Sequence, residues 1–154
     1  MASTLKVSYS EECSIEGVNY SGSRTKSFSS ITSIFRHIVN VTTTEGTILT
    51  FTASGGDIAT IDQDTVEYLR ITNLDTTNFV VISLKDGSAA VAAFRLDAGR
   101  SLIVPTPNQL DEHPQFFVDD DAATHGTMLD IDTITADADG AACNIEIFCA
   151  MNNS

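Results

Sequence analysis

Residues 67–105 read EYLRITNLDTTNFVVISLKDGSAAVAAFRLDAGRSLIVP. Runs rich in β-branched and apolar residues flank the polar turn Asn73-Leu-Asp-Thr-Thr-Asn78, and two more flank Asp97-Ala98-Gly99. Short extended runs punctuated by Asn, Asp and Gly predict back-to-back antiparallel hairpins. Val80, Ile82 and Leu84 alternate with Phe79, Val81 and Ser83, so both faces of that strand are substantially apolar and it is expected in a sheet interior.

The same grammar extends in both directions. Leu5, Val7 and Tyr9 alternate with Lys6 and Ser8 as a short first strand. A strand over 34–41 is followed by the turn Thr44-Glu-Gly46 and a partner strand in which Leu49, Phe51 and Ala53 face inward. Leu129, Ile131 and Thr133 alternate with Asp130 and Asp132, which predicts a half-buried strand. The turn Ala136-Asp-Ala-Asp-Gly140 then leads into a last strand from Cys143 to Ala150. Two segments depart from the pattern. Residues 21–33 are rich in Ser and Thr and read as a long mobile loop or arm, and Pro105, Pro107 and Pro114 bracket a second loop over 105–114.

No longer segment holds helical periodicity, and about eight to ten strands at this spacing predict one all-β domain over 1–154, an antiparallel β-sandwich or barrel. Its expected core comprises Leu49, Phe51, Leu69, Ile71, Val80, Ile82, Leu84, Leu102, Val104, Leu129, Ile131, Ile145 and Ile147, by two-residue periodicity.

Composition narrows the functional classes. The 154 residues carry a formal net charge of −13. All eight Lys and Arg lie at or before Arg100, with eleven acids. From Ser101 onward there are ten acids and no Lys or Arg. The missing basic footprint argues against nucleic acid as a partner, and no apolar run reaches the ~20 residues of a membrane helix. The N-terminal sequence lacks the apolar block of a secretory signal, which predicts synthesis and assembly in the cytoplasm. Cys143, Ile145, Ile147 and Cys149 share one strand face. The two thiols stand roughly 20 Å apart there, beyond disulfide reach, and are expected to be reduced core residues.

Catalytic signatures are not evident. The chain has no G-x-S-x-G elbow, phosphate-cradling glycine loop or H-E-x-x-H, and Asp130 and Asp132 are explained by an exposed strand face. His37 falls within a strand. His113 and His125 flank Asp119-Asp-Asp121, where loop carboxylates could hold a divalent cation, although consecutive aspartates lack the alternation of a calcium loop. The expectation is a chain that is not an enzyme and carries no catalytic, cofactor or metal residue.

Two segments, Tyr68-Leu-Arg-Ile-Thr-Asn-Leu-Asp-Thr-Thr-Asn78 and Phe94-Arg-Leu-Asp-Ala-Gly-Arg-Ser-Leu-Ile-Val-Pro105, carry a resemblance. On these the chain resembles small β-rich virion proteins of tailed bacteriophages, particularly those of aquatic and cyanobacterial phages. The resemblance covers about a quarter of the chain. It implies a jelly-roll-like sandwich acting as a capsid decoration (cement) protein, a homotrimer that binds the major capsid protein on the outer shell of the virion. Other roles of the same general kind are a head–tail connector or tail component. A different class is a soluble ligand- or calcium-binding β-sandwich module.

Overall fold

The computed structural model describes residues 3–52, 60–62, 65–104, 115–116 and 129–152. Its first four strands are β1 (Ser3–Glu11), β2 (Ser14–Ile15), β3 (Val18–Asn19) and β4 (Gly22–Ile31). Then come β5 (Ser33–Val41), β6 (Gly46–Thr52), β7 (Thr60–Asp62), β8 (Val66–Asn73), β9 (Val80–Asp86), β10 (Ala89–Leu96) and β11 (Ser101–Val104). The short β12 (Gln115–Phe116) pairs with β13 (Leu129–Asp130), and β14 (Thr133–Ala138) and β15 (Cys143–Met151) complete the order.

Two sheets form the body. One runs β11-β8-β15-β5, the other β10-β9-β14-β6-β7. The antiparallel pairs are nested: β9 with β10, β8 with β11, β6 with β14, β5 with β15. A long hairpin wound around a core gives this order, so the expected all-β antiparallel sandwich is present with jelly-roll connectivity. β7 adds a parallel strand at the edge beside β6.

This winding corrects several local expectations. Nested pairing permits one tight hairpin in the wound ribbon, and it falls at Gly87-Ser88 between β9 and β10. Gly87 has φ 56 there, while Ser88 keeps a negative φ, the pattern of a type II′ turn. The turns at 73–78 and 97–99 are not hairpins but arches that carry the chain from one sheet to the other. The 42–45 turn does the same, so β5 and β6 are not partners. Apolar runs on both sides of each arch face one another across the core instead of lying side by side. The strand expected over 129–133 sits later: Ile131 and Asp132 are not in a strand, and β14 runs through Ala136 to Ala138, where a turn was expected. Small alanines suit this position, because β14 lies between β6 and β9 with Ala136 and Ala138 buried.

Leu49, Leu69, Ile71, Val80, Ile82, Leu84, Ile134, Ile145 and Ile147 are essentially inaccessible and form one cluster between the sheets. Phe51, Val104 and Ile131 join it, and Leu102 packs at its margin half-buried. The side chain of Leu129 and all of Ala53 lie outside the described residues. Cys143 and Cys149 are buried and unbonded on the same strand face. Burial alone pushes the Cys149 thiol up to about 12.

Asn73 closes the core at one end. It is fully buried, and its Nδ2 donates to the carbonyls of Asn78 and Leu96 at 2.9 and 3.0 Å. Its Oδ1 accepts from the Asp75 amide at 2.9 Å. Its backbone carbonyl accepts from Gly99 and its amide donates to the Arg100 carbonyl. One side chain thus satisfies the polar backbone of both arches, which could not otherwise be buried.

Candidate functional site

Of the segment over 21–33, expected as a mobile loop or arm, Gly22–Ile31 form strand β4. Ser23, Thr25, Ser27 and Ser29 alternate with Arg24, Lys26 and Phe28, and that two-residue period gives a pleated strand with one hydroxyl face. β4 pairs with β1 along its length, with Leu5 opposite Phe28, Val7 opposite Lys26 and Tyr9 opposite Arg24. Ser8 and Thr25 share a hydroxyl hydrogen bond of 2.9 Å on the outer face. At the far end β2 and β3 close a tighter hairpin. Glu16 and Gly17 both take positive φ, 51 and 81, the requirement of a type I′ turn. Near the root the register slips by one residue and Ser30 adopts φ 62, a bulge that bends the ribbon where it joins the body.

The result is an arm spanning residues 3–31, joined to β5 through Thr32. Its root packs on the outer face of the four-stranded sheet. Ile31, Tyr68 and Ala150 are buried there, with Leu5, Phe28 and Phe148 around them. The Phe28 and Tyr68 rings lie 5.7 Å apart, and Tyr68 meets Phe148 edge-on at 6.1 Å, the tilted geometries that aromatic quadrupoles favour. Burial, followed by the charge and hydrogen bond of Tyr9, pushes the Tyr68 phenol up to about 12. A groove of about 450 Å³ remains beside the root, between β1 and Tyr68, Arg70, Ser101 and Ile103.

Every residue from 8 to 27 is exposed, and of these Ser8 and Tyr9 line the groove beside the root, where Tyr9 bonds Tyr68. Tyr9, Ile15, Val18 and Tyr20 are among its exposed residues, Ile15 and Tyr20 at 59% and 62%. An isolated two-stranded ribbon is marginal in water, and this one exposes apolar side chains at its tip.

The same sheet face holds an ion cluster. Arg36 on β5 and Arg70 on β8 both stand in register with Phe148 of β15 and reach diagonally to Glu146. Arg36 Nε donates to Glu146 Oε2 at 2.7 Å, and Arg70 Nη2 to Oε1 at 2.6 Å. The carboxylate is buried, which two guanidinium partners make tolerable. Past Arg36 the face is bare: Ile34 and Ile38 of edge strand β5 are 49% and 56% exposed.

Comparison with known protein families, with curated proteins and with solved structures finds no match.

His37 is exposed on β5, stacked on Phe35 at 5.9 Å. His113, His125, Asp119 to Asp121 and the Pro105 to Pro114 segment lie outside the described residues. Among the described residues no three His, Cys, Asp or Glu side chains converge as a metal would require. The sequence reading offers an arm over 21–33 but not its strand pairing with β1, and it does not reveal the Arg36–Glu146–Arg70 cluster. The alternation over 23–29 signals the strand, but the cluster depends on strand register that no local pattern reveals.

Proposed function

We propose that this chain is a virion structural subunit of the capsid-decoration kind, a homotrimer assembled in the host cytoplasm that seats on the major capsid protein at the outer shell. It works through buried interface and needs no catalytic group. The observation that carries the reading is the arm, an ordered ribbon whose residues 8–27 are all exposed on a sandwich that already has a closed core. Such an element contributes little to its own subunit and much to a neighbour.

Two further features support it. The jelly roll recurs in viral shells, as it does in lectins and cupins. Charge is partitioned as well. Lys6, Arg24 and Lys26 cancel Glu11, Glu12 and Glu16 within the arm, so the whole net charge of −13 belongs to the remainder of the chain. An acidic body facing solvent and a neutral arm free to dock is the arrangement that Coulomb repulsion favours. A cryo-EM map of particles carrying this chain tests the reading. Trimers on the shell exterior are expected. Density in the tail or at the connector, or absence of the chain from particles, would overturn it.

A further inference from the structure

One chain presents two uncovered surfaces that match one another. The arm tip, residues 11–22, carries Ile15, Val18 and Tyr20 together with Glu11, Glu12 and Glu16, and has no Lys or Arg. The outer face of edge strand β5 carries Ile34 and Ile38 with Arg36 between them, its side chain 66% exposed despite the bond to Glu146. The body as a whole is acidic, since its carboxylates far outnumber its cations. The β5 face pairs exposed aliphatic surface with an arginine that keeps free donors.

Neither surface is used within the chain. The root of the arm lies over β11, β8 and β15, whereas residues 8–27 and Ile34, Arg36 and Ile38 all remain exposed. From this we infer that the arm tip of one copy docks on the β5 outer face of the next, with Ile15 and Val18 covering Ile34 and Ile38 and the tip glutamates facing Arg36. Because donor and acceptor are different surfaces, the contact is heterologous. Repeated head to tail it closes into a ring, or runs on as a filament if the rotation does not close. The number of subunits follows the trimer of the proposed function. The docking itself needs only purified chain, so it can fail or succeed apart from any role in a virion.

Complementation tests it. The tip variant Ile15→Ser/Val18→Ser and the face variant Ile34→Ser/Ile38→Ser change exposed residues only, so each keeps the melting temperature of a folded sandwich. Wild-type chain should sediment as a closed oligomer, and each variant alone at its 16.5 kDa monomer mass. An equimolar mixture should give 1:1 heterodimers, because the tip variant retains a face and the face variant retains a tip. Cysteine trapping gives a second readout: Cys13 is native and exposed beside the tip. Oxidation of the Ile38→Cys chain should join Cys13 of one copy to position 38 of the next. Wild-type monomer at all concentrations, a tip variant that still oligomerises, a mixture that stays monomeric, or trapping only between two copies of position 38 would each overturn the inference. A ring formed in solution but absent from virions would defeat the proposed function and leave this docking intact.

Discussion

The arm and the sandwich are built from the same material, antiparallel strands with a two-residue period, yet they solve the burial problem in opposite ways. In the sandwich each apolar face meets another across the core, so Ile82 and Ile147 are inaccessible. In the arm one face carries hydroxyls, and the other meets the body only at its root. Periodicity therefore produces strands in both, but only closure of the sheets produces stability. Where a ribbon is regular and exposed, its order depends on what it can lean against.

The largest effect should expose that asymmetry. Ile82→Ala or Ile147→Ala removes core volume and should cost about 2–5 kcal/mol in urea unfolding. Ile15→Ala at the tip should stay within about 0.5 kcal/mol under monomeric conditions. Equal losses at the two sites would erase the distinction. Next in size is Asn73→Ala, which strands buried carbonyls in both arches. A loss of about 2–3 kcal/mol is expected from the unpaired groups, and a neutral result would show that the arches are not held by this side chain.

Glu146→Gln should be milder, about 1 kcal/mol, because Arg36 and Arg70 are 66% and 33% exposed and solvent screens much of the attraction. Its effect should shrink in high salt. The smallest effect concerns acid. Lys85 and then Thr135 bond the Glu45 carboxyl and hold it below its ordinary 4.5. The Asn78 and Thr77 amides hold Asp75 below 3.8. A carboxyl with a depressed folded pKa binds its proton more readily when unfolded. Stability from both groups is therefore present above those ordinary values and is lost as pH falls through the lower folded ones. Asp75→Asn should flatten the acid limb of the pH–stability curve, and an unchanged limb would remove Asp75 from the account.

How much of this was legible in the sequence depended on whether the signal was local. The strands around Leu69, Ile82 and Ile147 announce themselves by alternation, and so does the shared face of Cys143 and Cys149. Which strands pair does not. The turn at 73–78 looks like a hairpin because turn residues flanked by apolar runs also describe an arch. Only the fate of Asn73, buried and bonded to both arches, separates the two. In the arm, Ser and Thr at 23, 25, 27 and 29 carried a strand period that their loop-like composition concealed. Glu146 between Arg36 and Arg70 depends on three strands arriving in register from distant parts of the chain.

Native-state amide exchange tests the central claim most directly, that the sandwich orders itself while the arm is ordered through a partner. In dilute monomer, amides of residues 8–27 should exchange orders of magnitude faster than those of β9 and β15, and they should become protected when the chain assembles. Arm protection equal to that of β15 in the monomer, or an arm that still exchanges freely in the assembled state, would contradict it.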